Sequence, residues 1–195
     1  IQIKHDAGRA GGSMASTGSF SHSGRQARPE TVMIEAIIRL VLGNLTPLLF
    51  VLAIVMACCL KALPSHGTRL LNWLLLLPVG LGGVWSGGFH VFFPEIASRS
   101  IGWQPSPFEY EIGVADMAMG ITAIVSFWRP LAFKAAVILC VVLFYFGVAA
   151  NHVHDAFAGG NFAPNNFGAL LAVTIAQIIL LPLLYLRAKR ETGGE

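Results

Sequence analysis

The chain has 195 residues, of which 55% are hydrophobic and 12% charged, and its mean hydropathy is +0.67. A soluble domain carries charge on about a quarter of its residues, so this composition excludes an ordinary water-soluble domain and makes the lipid bilayer the expected partner and solvent. The formal net charge is only +3. The basic residues sit at the ends and in short loops, leaving no basic stripe for a nucleic acid.

Residues 1–32 are polar and rich in Gly and Ser, with too little apolar content to form a core, so a disordered arm is expected. The stretch Ala10-Gly11-Gly12-Ser13-Met14 can be encoded by codons that contain a bacterial ribosome-binding sequence ahead of a start codon. Translation is therefore expected to begin at Met14, with residues 1–13 a leader or a cloning remnant.

Residues 34–42 place Ile34, Ile37, Ile38, Val41 and Leu42 on one helical face and an i,i+4 pair, Glu35 and Arg39, on another. After Gly43-Asn44 the apolar run 45–60 supplies a first crossing, and residues 63–69 read as a turn. Residues 70–93 are a 24-residue run without Asp, Glu, Lys or Arg, longer than the roughly 20 residues a spanning helix needs. Within it, Gly83 and Gly87 have the spacing that lets a second helix approach closely. Residues 94–107 carry three prolines and read as a loop.

The third span, 108–128, holds Glu109, Glu111 and Asp116, and Trp128-Arg129-Pro130 marks a membrane surface at its end. The fourth, 130–150, has Lys134 close enough to its start to snorkel. The fifth, 167–186, is followed by Arg187, Lys189 and Arg190. Cys58, Cys59 and Cys140 lie inside apolar runs and read as buried, unpaired thiols. The expectation is an all-α integral membrane bundle of about five transmembrane helices, with residues 33–188 as one domain and 189–195 as a polar tail.

Five spans put Lys61, Arg69, Arg129, Lys134, Arg187, Lys189 and Arg190 on one side, against Arg99 and, with Met14 as the start, Arg25, Arg28 and Arg39 on the other. By the positive-inside rule the C-terminus is cytoplasmic, in a bacterial inner membrane, with the loops after spans two and four on the outer face. The same count gathers His90, Glu109, Glu111, His152, Asn165 and Asn166 at one membrane face. Asn151, Asn161 and Asp155 belong to the same polar mouth. Asp116 lies five residues beyond Glu111, about 7 Å deeper at the helical rise. At that depth an acid facing lipid costs a few kcal/mol, so Asp116 should face protein or water. Glu109, seven residues away, shares its face, while Glu111 is turned away. His152 and Asp155 share a face that His154 does not.

Three chemistries fit this mouth. His90, Glu111, Asp116, His152 and Asp155 are the imidazoles and carboxylates that suit a divalent transition metal, although no recognised ligand spacing is present. Asp116 behind the mouth histidines fits proton or ion transport, with Asn72, Thr122, Ser126, Thr174 and Gln177 the main polar groups elsewhere in the spans. The third reading is an accessory or structural subunit of a larger membrane complex or homo-oligomer. On it the acids sit at a helix N-terminus and the asparagines cap helices. Ser86 and Ser106 lack a nucleophilic context and no phosphate-binding glycine loop occurs, so a nucleophilic enzyme is the weakest fit, while a metalloenzyme stays within the metal reading.

The string Ile101-Gly102-Trp103 … Ser106-Pro107-Phe108 … Glu111 … Gly113 … Asp116, preceded by His90, resembles a family of small prokaryotic membrane proteins of unknown function. His152, Asn161, Ala163, Pro164 and Asn166 resemble that family's second loop. Asn151 and Asn165 stand where the pattern has glycine. The resemblance implies a small helical membrane protein and no particular activity.

Overall fold

The structure is a computed structural model, and it describes residues 40, 43–60, 66–191 and 193. The expectations for the arm, the Met14 start and the Glu35–Arg39 pair lie outside these residues. Among the described residues every regular element is helical. Helix α1 is Leu45–Cys59. Helix α2 runs in three consecutive parts, His66–Leu74, Leu75–Leu81 and Gly82–Phe92. Then come α3, Pro94–Ile101; α4, Phe108–Ser126; α5, Leu131–Gly159; and α6, Ala169–Glu191.

The middle of α2 is wound as a π-helix around Pro78. Proline has no N–H and its ring clashes with the carbonyl four residues back, so a wider turn relieves both faults. The ladder resumes where the Gly82 N–H reaches the Leu77 and Val79 carbonyls.

Three helices are long and apolar enough to cross a membrane: Gly67–Phe92, Leu131–Gly159 and Ala169–Glu191. Helix α1 is apolar but has 15 residues, short of the full length of a crossing. Helix α4 has 19 residues and carries the three acids. Leu71, Leu74, Leu75 and Val79 of α2 make the core with Ala123 of α4, Val137 and Val141 of α5, and Leu181 of α6. Leu139, Leu143, Phe146, Ile179 and Leu183 face outward, as side chains meeting lipid do.

Helices α2 and α4 are pressed together on glycine. A Cβ on Gly87 would stand 2.5 Å from the Gly113 carbonyl oxygen, and one on Gly83 would stand 3.2 Å from the Gly120 Cα. The spacing expected from sequence at Gly83 and Gly87 therefore faces a matching glycine pair on α4, and the backbones meet where side chains would hold them apart.

Several local expectations are corrected. Residues 94–107 are not all loop: Pro94 starts α3, a position where its missing N–H costs nothing. Gly102 ends that helix at φ 86°, with the Trp103 N–H on the Ser98 carbonyl. Helix α5 does not stop near Ala150 but continues through the polar residues to Gly159. Residues 66–69 belong to α2 and not to a turn. Lys134 does not snorkel: it is buried, and its Nζ donates to the carbonyls of Ser126 and Arg129, both at 2.5 Å, at the end of α4. Those carbonyls lack helical partners, so a cation there is held by charge and hydrogen bonds together. The three cysteines are unpaired but exposed, on the outer apolar surface.

Candidate functional site

The site lies at the end of the bundle where α2 and α5 finish and α4 and α6 begin. It consists of an outer polar network and a cavity beneath it.

The network begins with Glu109 in the first turn of α4, a buried acid at a positive helix end. One carboxylate oxygen is 2.5 Å from His90 Nδ1, and the other lies 2.8 Å from the Ser98 hydroxyl. The Ser98 hydroxyl also reaches the Pro94 carbonyl at 2.7 Å, so its single proton serves one acceptor at a time. Helices α2, α3 and α4 are thereby tied through one carboxylate.

A second knot joins the loop after α3 to the end of α5. Asp155 accepts from Trp103 Nε1 at 2.8 Å and from Asn161 Nδ2 at 2.7 Å. Asn161 Nδ2 also reaches the Ile101 carbonyl at 2.9 Å, and its Oδ1 accepts from the Ala163 N–H. Asn166 is fully buried, with Nδ2 2.6 Å from the Asn161 carbonyl and Oδ1 2.5 Å from His152 Nδ1. The Trp103 and His152 rings stack, centroids 5.3 Å apart and planes 8° from parallel.

This bonding assigns the imidazole nitrogens. Asn166 Nδ2 is committed to carbonyl oxygens, so its Oδ1 faces His152, which must donate from Nδ1. A carboxylate at Glu109 only accepts, and beside it His90 also donates from Nδ1. In each neutral ring the basic nitrogen is therefore Nε2.

Both histidines line a cavity of about 530 Å³. Its wall comes from α2, α4, α5 and α6, with Thr46 of α1 and Trp103 contributing, and it is mostly apolar. Asp116 lines it and accepts from the Ser86 hydroxyl at 3.0 Å. Ser86 stands one turn before His90, so α2 turns both toward the cavity. Gln177 of α6 lines it also: the residue is 1% exposed, its Nε2 is 3.3 Å from the Val173 carbonyl, and its Oε1 has no partner among the described residues.

The sequence-derived candidates therefore divide. His90, Asp116, His152, Asn151 and Asn165 line the cavity. Glu109, Asp155, Asn161 and Asn166 build the network around its mouth. Glu111 is exposed and does not line the cavity; Glu109 occupies the inward face instead. His154 is exposed, as its helical offset from His152 requires. Among the described residues no three His, Cys, Asp or Glu side chains converge as a metal-ligand set. Ser98 carries no signal by type, since a serine in a stretch read as loop is ordinary, and Trp103 stands out in the sequence only through the family-like string it belongs to.

Such an arrangement defines a small all-helical protein, with helices suited to crossing a membrane and a polar-mouthed cavity at one end. The chain belongs to a family of unknown function, DUF6790, whose model matches residues 43–194. No curated protein and no solved structure matches the chain.

Proposed function

We propose that this is an integral membrane protein that holds a small molecule in the cavity below one membrane face, with Asp116 as the ionisable centre. The observation that carries the reading is the cavity itself, about 530 Å³ and mostly apolar, with a carboxylate in its wall bonded to a neutral hydroxyl. Membrane helices associate by packing, and a bundle whose role is only structural is stabilised by filling such a space. The volume falls within the range of roughly 300–1,000 Å³ typical of small-molecule sites. An acid at this depth is costly and is characteristically retained for function.

On this reading α1 and α4 cross together with the three longer helices, giving five spans. The end carrying Arg69, Arg129, Lys134 and Arg187 is cytoplasmic, in a bacterial inner membrane, and the cavity opens to the outer face. The outer network is structural, fixing two loops over the cavity, and it suits a subunit of a larger membrane complex or a homo-oligomer equally well. Proton coupling is a second reading, supported by His90 lying between Glu109 and the cavity, where an imidazole can pass a proton inward.

The test is to take the protein from native membranes into lipid nanodiscs and to identify small molecules released on denaturation. The wild-type chain is expected to release a compound that a cavity-filling Thr174→Phe variant lacks. The reading fails if both release the same lipids only and no small amphipathic compound stabilises the wild type against heat.

A further inference from the structure

The cavity's polar lining includes a carboxylate and several acceptors. Asp116 presents a carboxylate that accepts from the Ser86 hydroxyl. Gln177 gives one of its two amide N–H groups to the Val173 carbonyl, and its buried Oε1 has no donor among the described residues. Thr174, one turn before Gln177, spends its proton on the Leu170 carbonyl at 2.9 Å, leaving lone pairs. His90 and His152 direct Nδ1 to Glu109 and Asn166, so Nε2 is the ring nitrogen left for the cavity. The Tyr145 hydroxyl and the Asn151 and Asn165 amides are the lining groups able to donate or accept as needed.

A buried carbonyl oxygen without a donor costs roughly 1–3 kcal/mol, and a bundle keeps that cost only where something else satisfies the oxygen. Asp116 and Gln177 each lie eight residues from the start of their helices, Phe108 and Ala169, about 12 Å below the same face. Both line the cavity, from different helices. Phe144, Tyr145 and Trp103 add aromatic surface to the same wall, the surface that best accepts a cation alongside a carboxylate.

We propose that the cavity binds an organic ammonium compound, a primary or secondary amine in its protonated form with an apolar body. Its charge sits at Asp116, its N–H groups are shared between Asp116 and Gln177 Oε1, and its apolar part lies against the aromatic wall. This rests on the reading of the cavity as a small-molecule site and names the ligand class. A bare metal cation is a poorer match, because most of the wall is apolar and would contribute no ligand oxygen.

The experiment uses the full chain in lipid nanodiscs at neutral pH and three probes of one shape. These are 2-phenylethylammonium, its N,N,N-trimethyl derivative, which has the charge but no N–H, and 2-phenylethanol, which is neutral. Binding is measured by displacement of radiolabelled 2-phenylethylammonium and by calorimetry, with empty nanodiscs subtracted. The primary ammonium is expected to bind at least tenfold tighter than either analogue. Asp116→Asn should weaken both cations at least tenfold and leave 2-phenylethanol unchanged, which also reports that the variant is folded. Gln177→Met should weaken the primary ammonium severalfold and leave the trimethyl compound alone. Equal affinity for all three probes, or an Asp116→Asn protein that keeps the preference, overturns the ammonium assignment while leaving the cavity as a binding site. Absence of saturable binding by every probe overturns both.

Discussion

Trp103 lies flat on His152 while its indole N–H donates to Asp155 at 2.8 Å. One side chain from the loop after α3 is thus fastened twice to the last turns of α5, by ring stacking and by a charge-assisted hydrogen bond. These two attachments set the geometry of the cavity roof, since Trp103 and His152 both line it.

The two attachments are separable by substitution. Trp103→Phe keeps an aromatic face for His152 but removes the donor to Asp155, and should cost about 1–2 kcal/mol. Trp103→Leu removes both and should cost about 1 kcal/mol more, the worth of an aromatic pair. Unfolding by graded denaturant in detergent micelles gives the order wild type, Phe, Leu. A Leu variant as stable as the Phe variant would show that the stacking contributes nothing.

Neighbouring glycines on α2 provide an internal control for the α2–α4 contact. A Cβ on Gly87 meets the Gly113 carbonyl oxygen at 2.5 Å and Met117 Cγ at 2.6 Å, whereas a Cβ on Gly88 meets nothing within 4 Å. Gly87→Ala is expected to lower stability by about 1–3 kcal/mol, the usual cost of overpacking. Gly88→Ala should be neutral or slightly stabilising, since alanine is the better helix former. Thermal unfolding of the two variants side by side decides it, and equal behaviour would mean that the helices are not in glycine contact.

The acids that open α4 should behave oppositely. Glu109 is buried against His90 and Ser98, while Glu111 is exposed. Glu109→Gln replaces one charge-accepting oxygen with a donor and sets an N–H against either His90 or Ser98, so a loss of about 1–3 kcal/mol is expected. Glu111→Gln should stay within about 0.5 kcal/mol of wild type, as surface substitutions usually do. Paired unfolding measurements check the difference. A larger effect at Glu111 would reverse the assignment of faces.

Helical periodicity made that face legible beforehand: seven residues carry Glu109 onto the side of Asp116, and two carry Glu111 off it. The same counting separated His152 from His154. What sequence concealed was continuity. The polar run from Asn151 to Asp155 lies past the expected end of the fourth span at 150, yet it continues α5, because its side chains bond across to Trp103, Asn161 and Asn166 and make helix there compatible with polarity. Pro94 looked like a loop residue because proline starts helices as readily as it ends them. Lys134 looked able to snorkel because no pattern in its own helix announces the carbonyls of α4 that receive it. The cavity was equally hidden: Gln177 sits alone in an apolar run, and only the cavity it lines together with residues of the other helices gives its side chain a meaning.

Asp116 separates a structural account of the site from a functional one. If the acid serves the fold, Asp116→Asn should destabilise the bundle, because the amide is a weaker acceptor for Ser86 than a carboxylate. If it is kept for a ligand, the empty protein bears the cost of a desolvated acid, and the neutral amide relieves that cost while still accepting from Ser86 through its oxygen. Sites built for binding commonly give up stability in this way. The expectation is that ligand-free Asp116→Asn is as stable as wild type or more so, by up to about 2 kcal/mol. It should also lose at least tenfold in affinity for 2-phenylethylammonium. Denaturant midpoints of the two ligand-free proteins, measured beside the binding curves, test both halves together. A variant that loses stability but keeps its affinity would place Asp116 with Glu109 and Asn166 among the groups that hold the helices.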